Sequence, residues 1–422
     1  MIETRPQKTQ ERALLIGLEK EGVSKWDLQD SLDELRELAN SAGAEVVDTV
    51  TQKLRKPTAP YYIGRGKAES IKNSCQDRHV TSVIFDDELS PAQGRNLENL
   101  FARKVLDRTQ LILDIFAQRA RSREGRLQIE LAQLQYLLPR LTRMWDHLSR
   151  QTGGIGTRGP GETQLEVDRR RVQERIARLE RELEAVRKTR AIQRQGRKRH
   201  QWPVAAVVGY TNAGKSTLLN LLTGADVVTQ NKLFATLDPT TRSFVLPNKQ
   251  RVLLTDTVGF LRKLPHTLIE SFKATLEEVG EADLLIHIVD LSHPRVDEQM
   301  EAVDSVIKEL DAHGKQTLIV FNKIDNLPNR ELAESYVKRF PGSVAISART
   351  GEGVNKLVQT LENALSSWRL RSRLRIPSNE SALIAEIHRV GHVLELRYEG
   401  NDALIIAHVP PELAQKLERF AA

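Results

Sequence analysis

Four short clusters in this sequence hold residue types that can handle a nucleotide. In the first, Gly209 and Gly214 bracket Tyr210, Thr211, Asn212 and Ala213 and lead into Lys215, Ser216 and Thr217. Glycines at this spacing let backbone amides curl around phosphate oxygens. The lysine then neutralises the β- and γ-phosphates, and the serine hydroxyl reaches Mg2+. The second cluster is Asp256-Thr257-Val258-Gly259. Its carboxylate can hold the metal's water shell, and its glycine amide can sense a γ-phosphate. In the third, Asn322-Lys323-Ile324-Asp325, an ionised Asp325 accepts two N–H donors, matching the N1–H and exocyclic amine of guanine. Adenine offers no such pair, so this aspartate selects guanine. The fourth, Ser347-Ala348-Arg349, resembles the segment whose backbone amide reads the guanine keto oxygen. The first cluster, between a strand and a helix, is rare by chance, whereas Asn-Lys-x-Asp alone is a weak signal. In this order, each at the end of a strand, the set is specific.

The strands that must deliver these clusters are legible. Val204–Gly209 is an apolar strand feeding the first cluster, and Thr217–Leu222 reads as the helix behind it. Arg251–Thr255, Thr317–Phe321 and Val344–Ile346 precede the other three. Upstream, Ala13–Leu18, Glu45–Val50 and Thr81–Asp86 read as strands, with Ser31–Ser41, Lys67–Cys75 and Pro91–Ala102 helical between them. That alternation predicts a small parallel α/β domain. The glycine-rich Ile63–Lys67 turn precedes a helix and could bind an anion, although plain turn chemistry explains it too.

Further on, Leu127, Leu131, Leu134, Leu138, Leu141, Trp145 and Leu148 repeat at 4-3 spacing, as do Val172, Ile176, Leu179, Leu183 and Val186. These two seams predict an antiparallel helical hairpin, its second helix about 26 residues and ~39 Å long. Pro139 should kink or break the first helix. The connection, Gln151–Glu162, holds five glycines and a proline. Such a tip lets backbone approach another surface closely, and Gly154, Thr157, Arg158 and Gly159 are the candidate RNA contacts. Residues 191–202 read as a linker or frayed helix end. Residues 368–378 read as a basic linker, followed by strands Ala382–Ile387, Val393–Tyr398 and Ala403–Val409 and a helix Pro411–Phe420.

The 422 residues include 63 Lys+Arg and 56 Asp+Glu, a formal net charge of +7. Apolar residues make up 40% and charged residues 28%, so ordinary cores can form and global disorder is excluded. The length predicts two to four domains, at roughly 100–200 residues each. The longest apolar runs, such as Leu284–Val289, are far shorter than the ~20 residues of a membrane helix. The N-terminus lacks an apolar signal core. A cytoplasmic protein without membrane insertion is expected. Cys75, the single cysteine, excludes internal disulfides and a cysteine-based zinc site. The charge is uneven: residues 101–200 hold 24 Lys+Arg, 21 of them arginine, against 12 Asp+Glu, and the other 322 residues sum to −5. An arginine block in an otherwise acidic protein suggests a polyanion partner, nucleic acid first.

The four clusters resemble those of translation-factor-class P-loop GTPases over residues 204–367. Gly153–Gln164, Phe234–Arg242 and Asp256–Phe260 are similar, more narrowly, to the HflX family, over about residues 10–367. An α/β multidomain chain is expected: an N-terminal parallel α/β domain (1–115), a basic helical hairpin with a glycine-rich tip (116–200), a Ras-like P-loop GTPase domain (201–370) and, from its strands and helix alone, a small C-terminal α+β domain (371–422). The resemblance implies GTP hydrolysis with Mg2+, binding of GTP and GDP, and engagement of the large ribosomal subunit and its RNA by a monomer that is partly ribosome-associated. Splitting or rescue of stalled ribosomes would follow. A ribosome-assembly RNA chaperone and a protein-binding regulatory GTPase are the alternatives.

The resemblance carries Lys215, Thr236, Asp256 and Gly259 over as catalytic, and Ser216 and Thr236 as Mg2+ ligands. Thr240 and Thr241 rival Thr236 on sequence alone. Phe234, Ala235, Leu237 and Asp238 join the nucleotide-binding set. Phe260 stands where many GTPases place a water-orienting glutamine, so slow intrinsic hydrolysis is expected. Asn212 resembles the asparagine of relatives that use a monovalent cation, which makes K+ a second candidate cofactor.

Overall fold

The computed structural model describes residues 11–141, 160–198, 202–224, 234, 240–263, 278–366 and 369–422. Two compact units emerge. One comprises residues 1–186 with 232–234 and 262–272; the other comprises 187–231, 235–261 and 273–422. Among the described residues no helix is long and apolar enough to cross a membrane.

In the first unit, β1 (Glu11–Glu19), β2 (Ala44–Lys53), β3 (Ser82–Phe85) and β4 (Lys104–Asp107) form a parallel sheet ordered β2-β1-β3-β4. Residues 13–18 are buried without alternation, as a central parallel strand covered on both faces requires. α1 (Lys25–Ala42) opens with a capping box between Ser24 and Asp27 and stops at Gly43, whose φ is 94°. α2 (Arg65–Asp77) and α3 (Pro91–Phe101) also fall where the alternation placed helices. β4 and α4 (Arg108–Arg119) lie beyond the expected elements, since four residues of strand are too few to reveal a period. In the Ile63–Lys67 turn, the Gly64 amide already donates to Gln52 Oε1 at 2.9 Å, which is turn chemistry within the fold.

α5 (Arg123–Leu141) and the long helix Pro160–Lys198 meet through the two seams: Leu127, Leu131, Leu179 and Leu183 are buried, with Leu134, Ile176 and Val186 against them. Burying a leucine stabilises by about 1.5–3 kcal/mol. The exposed Arg175–Glu130 pair across the helices, with bonds of 2.7 and 2.8 Å, adds register more than energy. α5 runs on through Pro139 to Leu141, so the expected break does not occur there. The Arg140 guanidinium stacks 3.4 Å from the Tyr136 ring centre and donates to the Leu89 carbonyl at 2.8 Å, which ties this last turn down. The long helix has 39 residues rather than about 26, and of the two readings given for residues 191–202 it takes the helix end, over 191–198, rather than the linker. Arginine, glutamine and lysine are good helix formers even without an apolar stripe. Trp145, Leu148, Gly154, Thr157, Arg158 and Gly159 lie outside the described residues.

The second unit contains a six-stranded sheet ordered β10-β9-β8-β5-β7-β6. Its strands are β5 (Val204–Gly209), β6 (Thr240–Val245), β7 (Arg251–Asp256), β8 (Leu284–Asp290), β9 (Thr317–Asn322) and β10 (Val344–Ala345). All neighbours are parallel except β6 against β7. Helices Lys215–Thr223, Val296–Glu309 and Glu331–Arg339 lie between its strands, and Val354–Ala364 follows the last of them. β5 lies between strands that follow it in opposite directions across the sheet. In open α/β sheets the ligand crevice forms at the carboxyl ends beside such a switch point.

The same unit carries a second, antiparallel sheet: β11 (Leu370–Pro377), β12 (His392–Glu399) and β13 (Asp402–Val409), ordered β11-β13-β12. Two expectations are corrected here. Residues 370–377, read as linker, form β11. Arg371, Arg373 and Arg375 alternate with the buried Leu374 and Ile376, so a one-sided strand had the composition of a basic linker. Residues 382–387, read as a strand, lie in the helix Ser381–Val390, where Leu383, Ile384 and Ile387 share one helical face against the core.

Candidate nucleotide site

β5 ends at Gly209, and the loop to the helix Lys215–Thr223 turns through two positions that only glycine suits. Gly209 has φ 150° and Gly214 has φ 98°. A Cβ at Gly209 would run into the Ile288 carbonyl, and one at Gly214 into the Asn322 side-chain amide. Lys215 is buried, and its Nζ folds back to donate to the Gly209 carbonyl at 3.1 Å and the Tyr210 carbonyl at 2.7 Å. Burial pushes its pKa down to about 8; Asp256 works in the opposite direction and Lys323 in the same one. A buried ammonium held by two carbonyls can gain much from an anion. Ser216 Oγ donates to Asp256 Oδ2 at 2.7 Å, which places two oxygen groups side by side beneath the loop.

Asp256 closes β7, and Thr257 Oγ1 anchors the following turn on the Val207 carbonyl at 2.7 Å. Gly259 lies so close that a Cβ there would be 2.8 Å from Thr211 Cγ2 and 3.0 Å from Lys215 Nζ. Phe260 then runs parallel to the loop: its amide donates to Gly209 O at 3.1 Å and its carbonyl accepts from the Thr211 amide at 2.8 Å. The Phe260 ring is 2% exposed and belongs to the core.

At the other end, Asn322 closes β9, 2% exposed. Its Nδ2 donates to the Ala213 carbonyl at 2.8 Å, and its Oδ1 accepts from the Ala348 amide at 2.9 Å. One side chain thus joins the first cluster to the fourth. Lys323, with φ 63°, pairs with Asp290 at 2.7 Å. Asp325 sits in the short turn Ile324–Asn326, and among the described residues its carboxylate has no partner, so it is available to a ligand. Ser347 Oγ accepts from the Thr350 amide at 3.1 Å and shapes the last loop.

The structure therefore brings Gly209 to Thr217, Asp256 to Gly259, Asn322 to Asp325 and Ser347 to Arg349 to the carboxyl ends of one sheet. Ala235, Thr236, Leu237 and Asp238 lie outside the described residues. Phe234 packs within the first unit, its ring edge-on to Phe116 at 4.5 Å and its carbonyl accepting from Arg119 at 2.8 Å. One neighbour of the site escapes sequence reasoning. His287 on β8 is 2% exposed, and burial, then Lys215, push its pKa down to about 4, so it is neutral at physiological pH. A histidine inside the apolar run Leu284–Val289 was the available signal.

Three family models match the chain: one described as GTP-binding GTPase N-terminal over residues 29–117, one as GTP-binding GTPase Middle Region over 119–197, and one as 50S ribosome-binding GTPase over 204–323. The GTPase HflX of Caldanaerobacter subterraneus subsp. tengcongensis is 46% identical over 413 residues, 98% of this chain and 94% of its own. The GTPase HflX of Escherichia coli strain K12 is 47% identical over 365 residues, 86% and 85% of the two chains. A solved GTP-binding protein from Sulfolobus solfataricus, in complex with GDP, is 26% identical with a TM-score of 0.45, covering 85% of this chain and 99% of that one. With close to half of all positions shared along nearly the whole length, and the GTPase family model matched over residues 204–323, the chain belongs to the HflX family of GTPases.

Proposed function

We propose that this GTPase depends on Mg2+, binds the large ribosomal subunit, and couples GTP binding and hydrolysis to splitting or rescue of stalled ribosomes. The ribosomal half is supported by the match to a family described as 50S ribosome-binding GTPases. The nucleotide half rests on one observation: beside the strand-end clusters lies a buried lysine that, among the described residues, has two carbonyls and a neighbouring aspartate to offset its charge.

In this reading the amides from Gly209 to Gly214 and Lys215 hold the β- and γ-phosphates, and Asp325 accepts the guanine donors while the Ser347–Arg349 loop borders the base. Ser216 and Thr236 would ligate Mg2+, with Asp256 behind Ser216. The adjacent Ser216 and Asp256 oxygens suit a hard cation. When bound, Mg2+ draws charge off the phosphate oxygens. Water attacks the γ-phosphorus, the bond to the β–γ bridging oxygen breaks, and GDP and phosphate leave. The barrier is lowered by positioning and charge, not by a protein nucleophile. Gly259 is placed to report the γ-phosphate through its amide. Phe260 turns its ring into the core, so no side chain at that position orders the water, and the partner supplies activation. K+ beside Asn212 takes part of that role; equal hydrolysis rates in K+ and Na+ buffers would remove it. Gly154, Thr157, Arg158 and Gly159 meet ribosomal RNA at the tip of the arginine-rich arm.

Sucrose-gradient sedimentation of ribosomes with GTP, a non-hydrolysable analogue or no nucleotide is the test. Separated subunits in the nucleotide lanes are expected, and Lys215→Ala should abolish both separation and tight GTP binding. Binding confined to immature particles would replace splitting with assembly, and no ribosome binding in any lane would overturn the proposal.

A further inference from the structure

Among the described residues, the helices of the C-terminal module cover its sheet on one face. On β13, Ala403, Ile405, Ala407 and Val409 are buried in the core formed with the helices Ser381–Val390 and Pro411–Leu417, whereas Leu404, Ile406 and His408 between them point the other way and are part-exposed. Strand register extends this open face sideways. Arg371 and His392 flank His408, Arg373 lies beside Ile406, and Arg375 and Arg397 flank Leu404.

Part of the charge on this face is paired. Arg375 meets Asp402 at 2.8 Å, and Arg397 meets Glu395 at 2.6 Å, Glu395 lying on β12 across Ile406 from Arg373. The rest is Arg369, Arg371, Arg373, His392 and His408, and among the described residues no carboxylate pairs with any of these arginines. Arg369 donates Nη2 to the Val390 carbonyl at 3.1 Å, but its Nε and Nη1 are buried without a hydrogen-bond partner. The crowding is felt by His408, whose pKa is lowered by burial and then by His392, Arg371 and Arg369. Glu418 approaches only the outer edge of β11, where it borders the same groove as Arg371 and Arg373.

We infer that this cationic part of the face, centred on the exposed Arg371 and Arg373 with the buried Arg369 charge behind them, binds the phosphate backbone of RNA. All its full charges are arginines, whose forked donors take phosphate oxygens two at a time. Arg371 and Arg373 are two residues apart on an extended strand, about 6.8 Å, so successive phosphates can follow the strand. Leu404 and Ile406 supply a low-dielectric floor that strengthens such bonds. An RNA backbone that follows β11 stays one strand away from Glu395, which lies on β12 with β13 between.

The test uses the full chain and a labelled single-stranded RNA oligonucleotide, titrated across a range of salt concentrations, so it stands apart from ribosome binding. Arg371→Gln/Arg373→Gln should weaken RNA binding on the order of tenfold near 0.1 M salt. It should also reduce the slope of log K against log salt by about 1.4, two contacts at about 0.7 each. Arg375→Gln, at a position already paired with Asp402, should change affinity less than twofold. Arg371→Lys/Arg373→Lys should keep the slope while losing part of the affinity. Intrinsic GTP hydrolysis and melting temperature report that each variant is folded. An unchanged slope in the folded Gln variant, or a loss of binding to polyglutamate in place of RNA, would overturn the inference.

Discussion

Asn322 is the position where one atom-level change should be felt at both ends of the nucleotide site. Asn322→Ala removes the donor to the Ala213 carbonyl and the acceptor of the Ala348 amide, bonds of 2.8 and 2.9 Å. Ala213 is 0% and Ala348 5% exposed, so water cannot readily replace either partner. An abandoned buried polar group costs about 1–3 kcal/mol, which gives ~2–6 kcal/mol for the pair. A loss near ~3 kcal/mol should lower the melting transition of the nucleotide-free protein by about 6–12 °C. If bound nucleotide must then restore the geometry itself, GDP affinity should fall on the order of 10²-fold. Calorimetric melting without nucleotide and titration with a fluorescent GDP analogue read the two effects separately. A variant that melts within about a degree of the parent and binds GDP within twofold would refute the idea that this side chain joins the two ends.

Two other outcomes follow from the same site. Burial holds the pKa of Lys215 at about 8 in the empty protein, below the ordinary lysine range, so between there and the unfolded value the unfolded chain binds more protons and stability rises with pH. Phosphates favour the charged form, so GDP affinity should decline from about pH 7.5 to 9 with a midpoint near 8, and a flat profile by fluorescence titration would contradict the burial argument. Phe260→Gln should not raise intrinsic GTP hydrolysis, because position 260 points into the core; it should cost about 3 kcal/mol of stability, and faster phosphate release in a folded variant would overturn that placement.

What could be read from the residues alone follows from how local each constraint is. Gly209 and Gly214 are demanded by positive φ and by atoms a Cβ would strike, so their spacing is visible in a string of letters. The second role of Asn322 depends on two segments that only the folded sheet brings together, and nothing near it in sequence marks that role. His287 hides in an apolar run because a neutral buried histidine obeys the same burial pattern as its neighbours. The C-terminal sheet was half legible: β12 and β13 have long one-sided patterns, whereas the arginines of β11 masked its period and Ile384 beside Leu383 blurred a helical one. In the first unit the seam leucines set the hairpin, but helix length was not encoded in them, since residues 187–198 stay helical without a seam.

The long helix has a mechanical property of its own. Among the described residues its apolar seam starts at Ile176, while its backbone reaches back to Pro160. Sixteen residues at 1.5 Å each span ~24 Å from that contact to the start of the helix. A tilt of about 10° at the seam would therefore swing the far end by ~4 Å, a displacement larger than a hydrogen bond is long. Repacking of Ile176 against Leu134 by a fraction of an ångström is thus geared up to a movement on the scale of a binding contact, and substitutions in that seam should alter where the arm reaches before they alter whether it folds.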